Sequence, residues 1–449
     1  MSAPAAPERF RELHLRRELG PLGAVTMGLG AMLGTGVFVS IGLAAGLAGP
    51  AVVLALVLAA LVALANGLSS AQLAAAHPVS GGTYEYGYVY LRPWLGFMAG
   101  WVFLIAKSAS AATAALGVAG YLLQALGAGA RYVVPVALLT VALLTAVVLA
   151  GMRRSNAANA AIVTATLLAL LFFVAVGAPA IDAGNFTPFF ASTAGGRSQP
   201  GALLEATALM FVAYTGYARI ATLGEEVRDP ERTIPRAVIA TIAIVMVLYV
   251  AVAVVGIGTA GAAGLLAATQ AQAAPLAVVA RDLLPPAGGL VLTAGAITAM
   301  LSVLLNLVLG LSRVVLAMAR RRDLPGALAR LNASRTTPYW AVLAVGVLIA
   351  GLVGLGDVRT TWSFSAFAVL IYYALTNLAA LRLAEGERRY PRAVAAFGLV
   401  ACLALAFWVE RRIWLIGVPL IAIGLVWHVT AQRLLAPAAP RSEPGSPPR

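Results

Sequence analysis

Residues 28–36 read GLGAMLGTG and lie inside an otherwise apolar run. Four glycines and a threonine in nine residues make poor material for a continuous helix, since glycine in a helix interior costs roughly 1 kcal/mol relative to alanine. Lipid tolerates an interrupted helix only where the freed backbone groups line a cavity or a site. The stretch therefore predicts a membrane helix that breaks at Gly34–Gly36 to make room for something. The plain alternative is that these glycines let two helices pack closely, as small-xxx-small patterns do.

The surrounding chain is built for a membrane. Of 449 residues, 61% are hydrophobic and 11% charged, with a mean hydropathy of +0.91; soluble domains carry about 25% charged residues. Apolar runs of the length needed to cross a ~30 Å hydrocarbon core recur along nearly the whole chain. The short alternating segments of a membrane β-barrel are missing. Residues 1–20 are charged and lack an apolar core, so no cleavable signal is expected. The single cysteine, Cys402, excludes disulfides within the chain and any cysteine-based metal site.

About twelve spanning helices are predicted, near 22–47, 51–76, 94–124, 132–151, 157–179, 201–226, 236–259, 288–319, 338–355, 361–383, 392–409 and 413–432. Polar connectors at 77–93, 180–200, 227–235 and 320–337 separate them. With the first 21 residues placed in the cytoplasm, 22 arginines fall in connectors and termini on that side and six on the other. This is the positive-inside pattern. It puts both termini in the cytoplasm of a multi-pass protein of the cell (inner) membrane. The formal charge of +14 then reflects topology and contact with anionic lipid, and nucleic acid is not an expected partner. The tail at 434–449, rich in proline and serine, is expected to be disordered.

A second interruption is predicted in the sixth helix, MFVAYTGYARI, near Thr215 and Gly216. The two breaks fall in the first helix of two five-helix sets, at 22–179 and 201–383. Five is odd, so the second set enters the membrane inverted. Paired broken helices in inverted repeats are the best sequence pointer to a secondary transporter's binding site. An extracytoplasmic loop at 180–200 joins the sets, and residues 384–433 add two peripheral helices.

Five stretches together resemble the amino acid–polyamine–organocation (APC) superfamily of permeases. They are LRRELGPLGAVTMGLGAMLGTGVFV, HPVSGGTYEYGYVYLRPWLGFMAGW, FVAYTGYARIATLGEEVRDPERTIPRAV, GLSRVVLAMARRRDLPGALARLNASRTTPYW and YYALTNLAALRL, in that order along the chain. The resemblance implies an all-α LeuT-type fold, an inverted five-plus-five core with two peripheral helices, working by alternating access.

The chemistry of the breaks agrees with an amino acid substrate. A half-helix N-terminus offers unpaired N–H groups and a positive dipole end to a carboxylate. Thr35, Gly36 and the residues after them can supply these, with Leu33 and Gly34 beside them in the candidate binding site, and glycine lets the ligand approach the backbone. By resemblance, the carbonyls of Met32, Val212 and Thr215 accept from the substrate ammonium beside Gly216. Tyr214 or Tyr217 can cover the bound substrate as a gate, or can simply pack.

Three charges are read inside helices. Lys107, the only lysine, lies about 13 residues into the third helix, roughly 20 Å deep. Its stem cannot snorkel to either surface, and an ionisable group at that depth is functional by default. Buried lysines can exchange a proton near neutral pH, and in the family this part of the helix faces the pocket. Arg219 can face the pocket or pair with Glu225 and Glu226. Arg313 reads as an interfacial anchor.

Proton-coupled relatives carry a lysine in the fifth helix where this chain has Thr166. That relocates proton coupling to Lys107, or lets Thr166 and Ser302 help form a sodium site. No metal or organic cofactor is expected. Many relatives carry an acid where this chain has Ala218, and no carboxylate is evident near the pocket. Neutral or acidic amino acids are therefore expected before cationic ones or polyamines, the alternative within the same fold. A non-transporting sensor or channel would share the helices but lacks a filter repeat or a sizeable signalling domain here. An enzyme is not expected, because His14, His77 and His428 are scattered and no catalytic motif occurs. Expected partners are a small amino acid, membrane lipid and, with no motif to specify it, a second copy of the chain in a homo-oligomer.

Overall fold

The structure, a computed structural model, describes residues 19–77, 81–151, 156–190, 198–221, 227–332 and 337–434. The arginine-rich start at 1–18, Arg153 and Arg154, Arg197, Glu225 and Glu226, and the tail from 435 lie outside the described residues.

The first span enters at Gly20–Pro21, with proline in the first helical turn, where its missing N–H costs nothing, and runs as α1 (Pro21–Met32). It stops at Leu33, whose backbone turns extended (φ −73°, ψ 103°). The chain re-enters through a π-helical turn at Gly36–Ser40 and continues as α2 (Ile41–Ala48). Gly49 ends it with φ +61°, a conformation suited to glycine. Then follow α3 (Val52–Ala76), α4 (Thr83–Tyr90), α5 (Pro93–Ala125), α6 (Val133–Leu149) and α7 (Asn156–Gly177).

The second set opens with α8 (Gln199–Tyr214), capped by the Ser198 hydroxyl, which accepts from the Gly201 N–H. A 3₁₀ turn at Thr215–Tyr217 leads into α9 (Ala218–Ala221). Next come α10 (Pro230–Gln272), α11 (Pro275–Leu283), α12 (Ala287–Arg320), α13 (Tyr339–Val353) and α14 (Val358–Leu381). The peripheral pair is α15 (Arg392–Trp408) and α16 (Arg411–Leu434).

Eight described stretches are long and apolar enough to cross a membrane unaided. The remaining four of the twelve expected spans are the two interrupted helices and the shorter α13 and α15. The seventh span is longer than its hydropathy suggests. It bends at Gly261 (φ +68°), and a helical extension carries it to Gln272 before α11. The connector at 77–93 holds a helix, α4, despite the β-prone sequence TYEYGYVY. Packing overrides propensity there: α4 lies along α5, and Gly87 and Gly96 bring the two backbones together.

The layers follow the two sets. The first two members of each, α1–α3 and α8–α10, pack into one bundle, and the third and fourth, α5, α6, α12 and α13, form a second body. α5 is buried along most of its length against α12 and α14. At the arginine-rich face, Leu19 pairs with Val227 in an isolated parallel bridge, and the Arg228 N–H donates to the Leu19 carbonyl at 2.9 Å. On the same face, buried Asp323, just after α12, accepts from Tyr84 (2.7 Å) and Tyr88 (2.7 Å) of α4. The Trp427 indole of α16 donates to the Asp323 carbonyl at 2.8 Å.

Candidate functional site

The two interruptions abut. A Cβ added to Gly216 would fall 2.6 Å from the carbonyl carbon and oxygen of Ala31, and one added to Gly36 would fall 2.9 Å from Cα of Ala213. Each glycine is therefore where the other helix's backbone passes. Gly34 is likewise bare, here against Val303 of α12.

The interruptions differ in form. At the first, the Val37 and Phe38 N–H groups both turn back to the Gly34 carbonyl at 3.2 Å, and no main-chain bond is found for the N–H groups of Gly34, Thr35 and Gly36 among the described residues. The buried Thr35 hydroxyl also lacks a partner there. These donors are disposed to receive an anion, whereas Val37 and Phe38, which follow them, are already engaged. At the second, the helix tightens rather than opens. The Thr215 hydroxyl bonds back to the Val212 carbonyl at 2.7 Å, and such back-bonding competes with the regular helix ladder.

The freed carbonyls are held by tyrosines that the sequence reading passed over. Tyr249 of α10 donates to the Met32 carbonyl at 2.6 Å and lies 3.5 Å from that of Ala213, so one phenol spans both interruptions. Tyr373 of α14 donates to the Thr215 carbonyl at 3.2 Å. The Val212 carbonyl receives both the N–H and the hydroxyl of Thr215, which fills its two lone pairs in this conformation. A tyrosine four or five turns into an apolar helix carries no sequence signal that separates this duty from packing.

Lys107 reaches across from α5. Its ammonium donates to the Thr215 hydroxyl at 2.8 Å, and the residue is 8% exposed. Tyr214 and Tyr217 are fully buried, their rings against Tyr249 (5.4 Å) and Tyr373 (5.3 Å). Thr166 is buried with its hydroxyl on the Ile162 carbonyl of its own helix at 2.8 Å. Ser302 is buried, and its hydroxyl has no hydrogen-bond partner among the described residues. Arg219, on α9, and Arg313, on α12, are exposed rather than turned into the buried junction.

The count of three intramembrane charges needs correcting. Glu205, in the middle of α8, is buried at 1% exposure. A single acid in the run PGALLEATALM was the available signal.

A family model described as amino acid permease matches residues 23–433. An uncharacterised transporter of Mycobacterium tuberculosis (strain ATCC 25618 / H37Rv) is 39% identical, over 99% of this chain and 98% of its own. A branched-chain amino acid permease of Bacillus subtilis (strain 168) is 28% identical over 88% and 87%. Human cationic amino acid transporter 4 is 30% identical over 83% of this chain and 60% of its own.

Proposed function

The chain belongs to the amino acid permease family of the APC superfamily, and from that premise we propose that it carries neutral or acidic amino acids by alternating access, with the substrate seated where the two interrupted helices abut. Family membership makes it a multi-pass membrane transporter of the LeuT-type fold rather than an enzyme. In the proposed arrangement the substrate carboxylate takes the N–H groups of Gly34, Thr35 and Gly36, and the ammonium turns toward the carbonyls of Met32 and Thr215. Tyr214 and Tyr217 close over it. The arginine-rich face is the cytoplasmic one, and both termini lie there, in the cell membrane.

The observation that carries this reading is the bond from Lys107 to Thr215. It brings a basic group of the α5 body onto the interruption in the α8–α10 bundle, the two bodies that must shift against each other. A charged lysine there favours a carboxylate-bearing side chain and disfavours a second cation. Glu205 does not reverse this preference, since it precedes Thr215 by ten residues, about 15 Å along the axis at 1.5 Å per residue. Proton coupling is assigned to Lys107. Sodium coupling through Thr166 and Ser302 is the weaker version, because the Thr166 hydroxyl is engaged by its own helix. The alternative substrate class, a cationic amino acid or polyamine, draws on the likeness to the human protein.

The test is counterflow into proteoliposomes preloaded with unlabelled amino acids. Accumulation driven by leucine or glutamate but not by arginine supports the proposal. Accumulation driven by arginine alone replaces it with the cationic reading, and binding without counterflow makes the protein a sensor.

A further inference from the structure

Glu205 is the one acidic side chain in the apolar body of a spanning helix among the described residues; Glu231, the other acid within a long apolar helix, stands exposed in the first turn of α10. Carboxylates persist at such depth where they bind an ion or carry a proton. Its place on α8 sets it one turn beneath a surface cavity. Gly201, one turn earlier on the same helix face, lines a cavity of about 260 Å³ with Ser198, Trp408, Arg411 and Trp414. The cavity lies where the first turn of α8 meets the end of α15 and the start of α16, at the face opposite the arginine-rich connectors. The bare Gly201 brings the Trp408 ring onto α8, since an added Cβ would stand 3.0 Å from it.

The charges around this position are few. Of the elements packed on α8, the stretch from Gly36 through α3 has no ionisable side chain. α14 brings Arg359 at its outer end and the Tyr372 and Tyr373 phenols deeper in, and α15 brings Cys402, with Arg392 at its far end. Arg411 is exposed at the cavity, and beside it Glu410 is engaged by Arg359 at 3.7 Å and Arg412 at 2.8 Å. The rim is thus basic, and the ionisable groups deeper in are phenols, Tyr217 of the turn after α8 among them, and the Cys402 thiol.

We propose that Glu205 is a proton-binding site loaded from the outer water through this cavity, separate from Lys107 and acting on the outward-facing half of the cycle. The inference rests on the transporter reading above. Loading forms one O–H bond on the carboxylate with a proton from outer water, and unloading returns that proton; no other reactant takes part. The site lies too far from the interruption to touch a bound substrate, so it acts through the seating of α8. A neutral carboxyl suits the apolar packing against α3, α14 and α15, and an ionised one draws water and the arginine rim toward α8.

Two measurements test this. Infrared difference spectra of the purified protein between acid and alkaline pH record the carbonyl stretch of protonated carboxyls. Exposed acids contribute alike to wild type and Glu205→Gln, so subtracting one from the other is expected to leave a single band, shifted in Glu205→Asp. In proteoliposomes at fixed inner pH, wild-type uptake is expected to vary with outer pH, and Glu205→Gln to lose part of that dependence while keeping uptake, the remainder being that of Lys107. No residual band, or an unchanged outer-pH profile in Glu205→Gln, overturns the proposal. If the Gln variant does not fold, Glu205→Asp decides: a band and profile identical to wild type overturn it. A wild type that transports no amino acid overturns the transporter reading instead, and the infrared result still decides whether Glu205 takes up a proton.

Discussion

Tyr249 and Met32 stand 217 residues apart, and the phenol of the first donates to the carbonyl of the second at 2.6 Å. That bond satisfies a buried acceptor that the end of α1 leaves open, and the same phenol lies 3.5 Å from the Ala213 carbonyl of the opposite interrupted helix. Removing the hydroxyl in Tyr249→Phe leaves at least one buried carbonyl unpaired, a cost of about 1–3 kcal/mol. The expected outcome is a lower melting temperature in detergent and weaker substrate affinity, with membrane insertion unchanged. A variant that melts and binds like wild type would show that the phenol has no part in holding the junction.

Lys107→Met keeps much of the stem's volume and removes the charge from the Thr215 hydroxyl. Uptake of a neutral and an acidic amino acid, measured with and without an imposed pH gradient, separates two roles. A selective loss of the acidic substrate points to direct pairing, and a loss of gradient dependence for both points to proton coupling. An unchanged profile makes the lysine purely structural.

Gly216→Ala and Gly36→Val each place a side chain where the other interrupted helix's backbone runs, 2.6 Å from Ala31 and 2.9 Å from Ala213 Cα. Backbone yields less readily than side-chain tips, and overpacking of this kind costs about 1–3 kcal/mol. Both variants should reach the membrane and lose substrate binding, as read by ligand-induced thermal stabilisation. Loss of expression instead would mean that the glycines serve packing alone.

Asp323→Ala removes the acceptor shared by Tyr84 and Tyr88. Burial first, and then the carboxylate itself, hold both phenols well above the ordinary tyrosine range, so they remain donors throughout physiological pH. Two donors lose their acceptor at once, and the expected effect is a destabilisation of about 1–3 kcal/mol per group left unsatisfied. Proteolysis at the arginine-rich face should accelerate around residues 81–92 while the apolar interior stays protected.

The helices were legible because hydropathy records the solvent each segment meets. The interruption at Gly34–Gly36 was legible because glycine and threonine disfavour a helix wherever they occur. The depth of Lys107 was legible from counting alone, and its reach to Thr215 accords with that depth. The rest depended on which faces meet. Tyr249 and Tyr373 look like any aromatic residues in a membrane helix until the carbonyls opposite them are seen. The aromatic run of α4 reads as part of a polar connector, because its helix is imposed by α5 and by Asp323, the latter more than two hundred residues away. Glu205 shares its predicted span with the acids Glu225 and Glu226, and only its position between leucine and alanine sets it apart from them.

The pairing of Leu19 with Val227 works as a mechanical linkage. It fastens the lead-in of the first span to the stretch of chain that feeds α10, and so ties the opening of one five-helix set to the second member of the other. A displacement of residue 19 therefore falls on residue 227 as well, and through it on the head of α10.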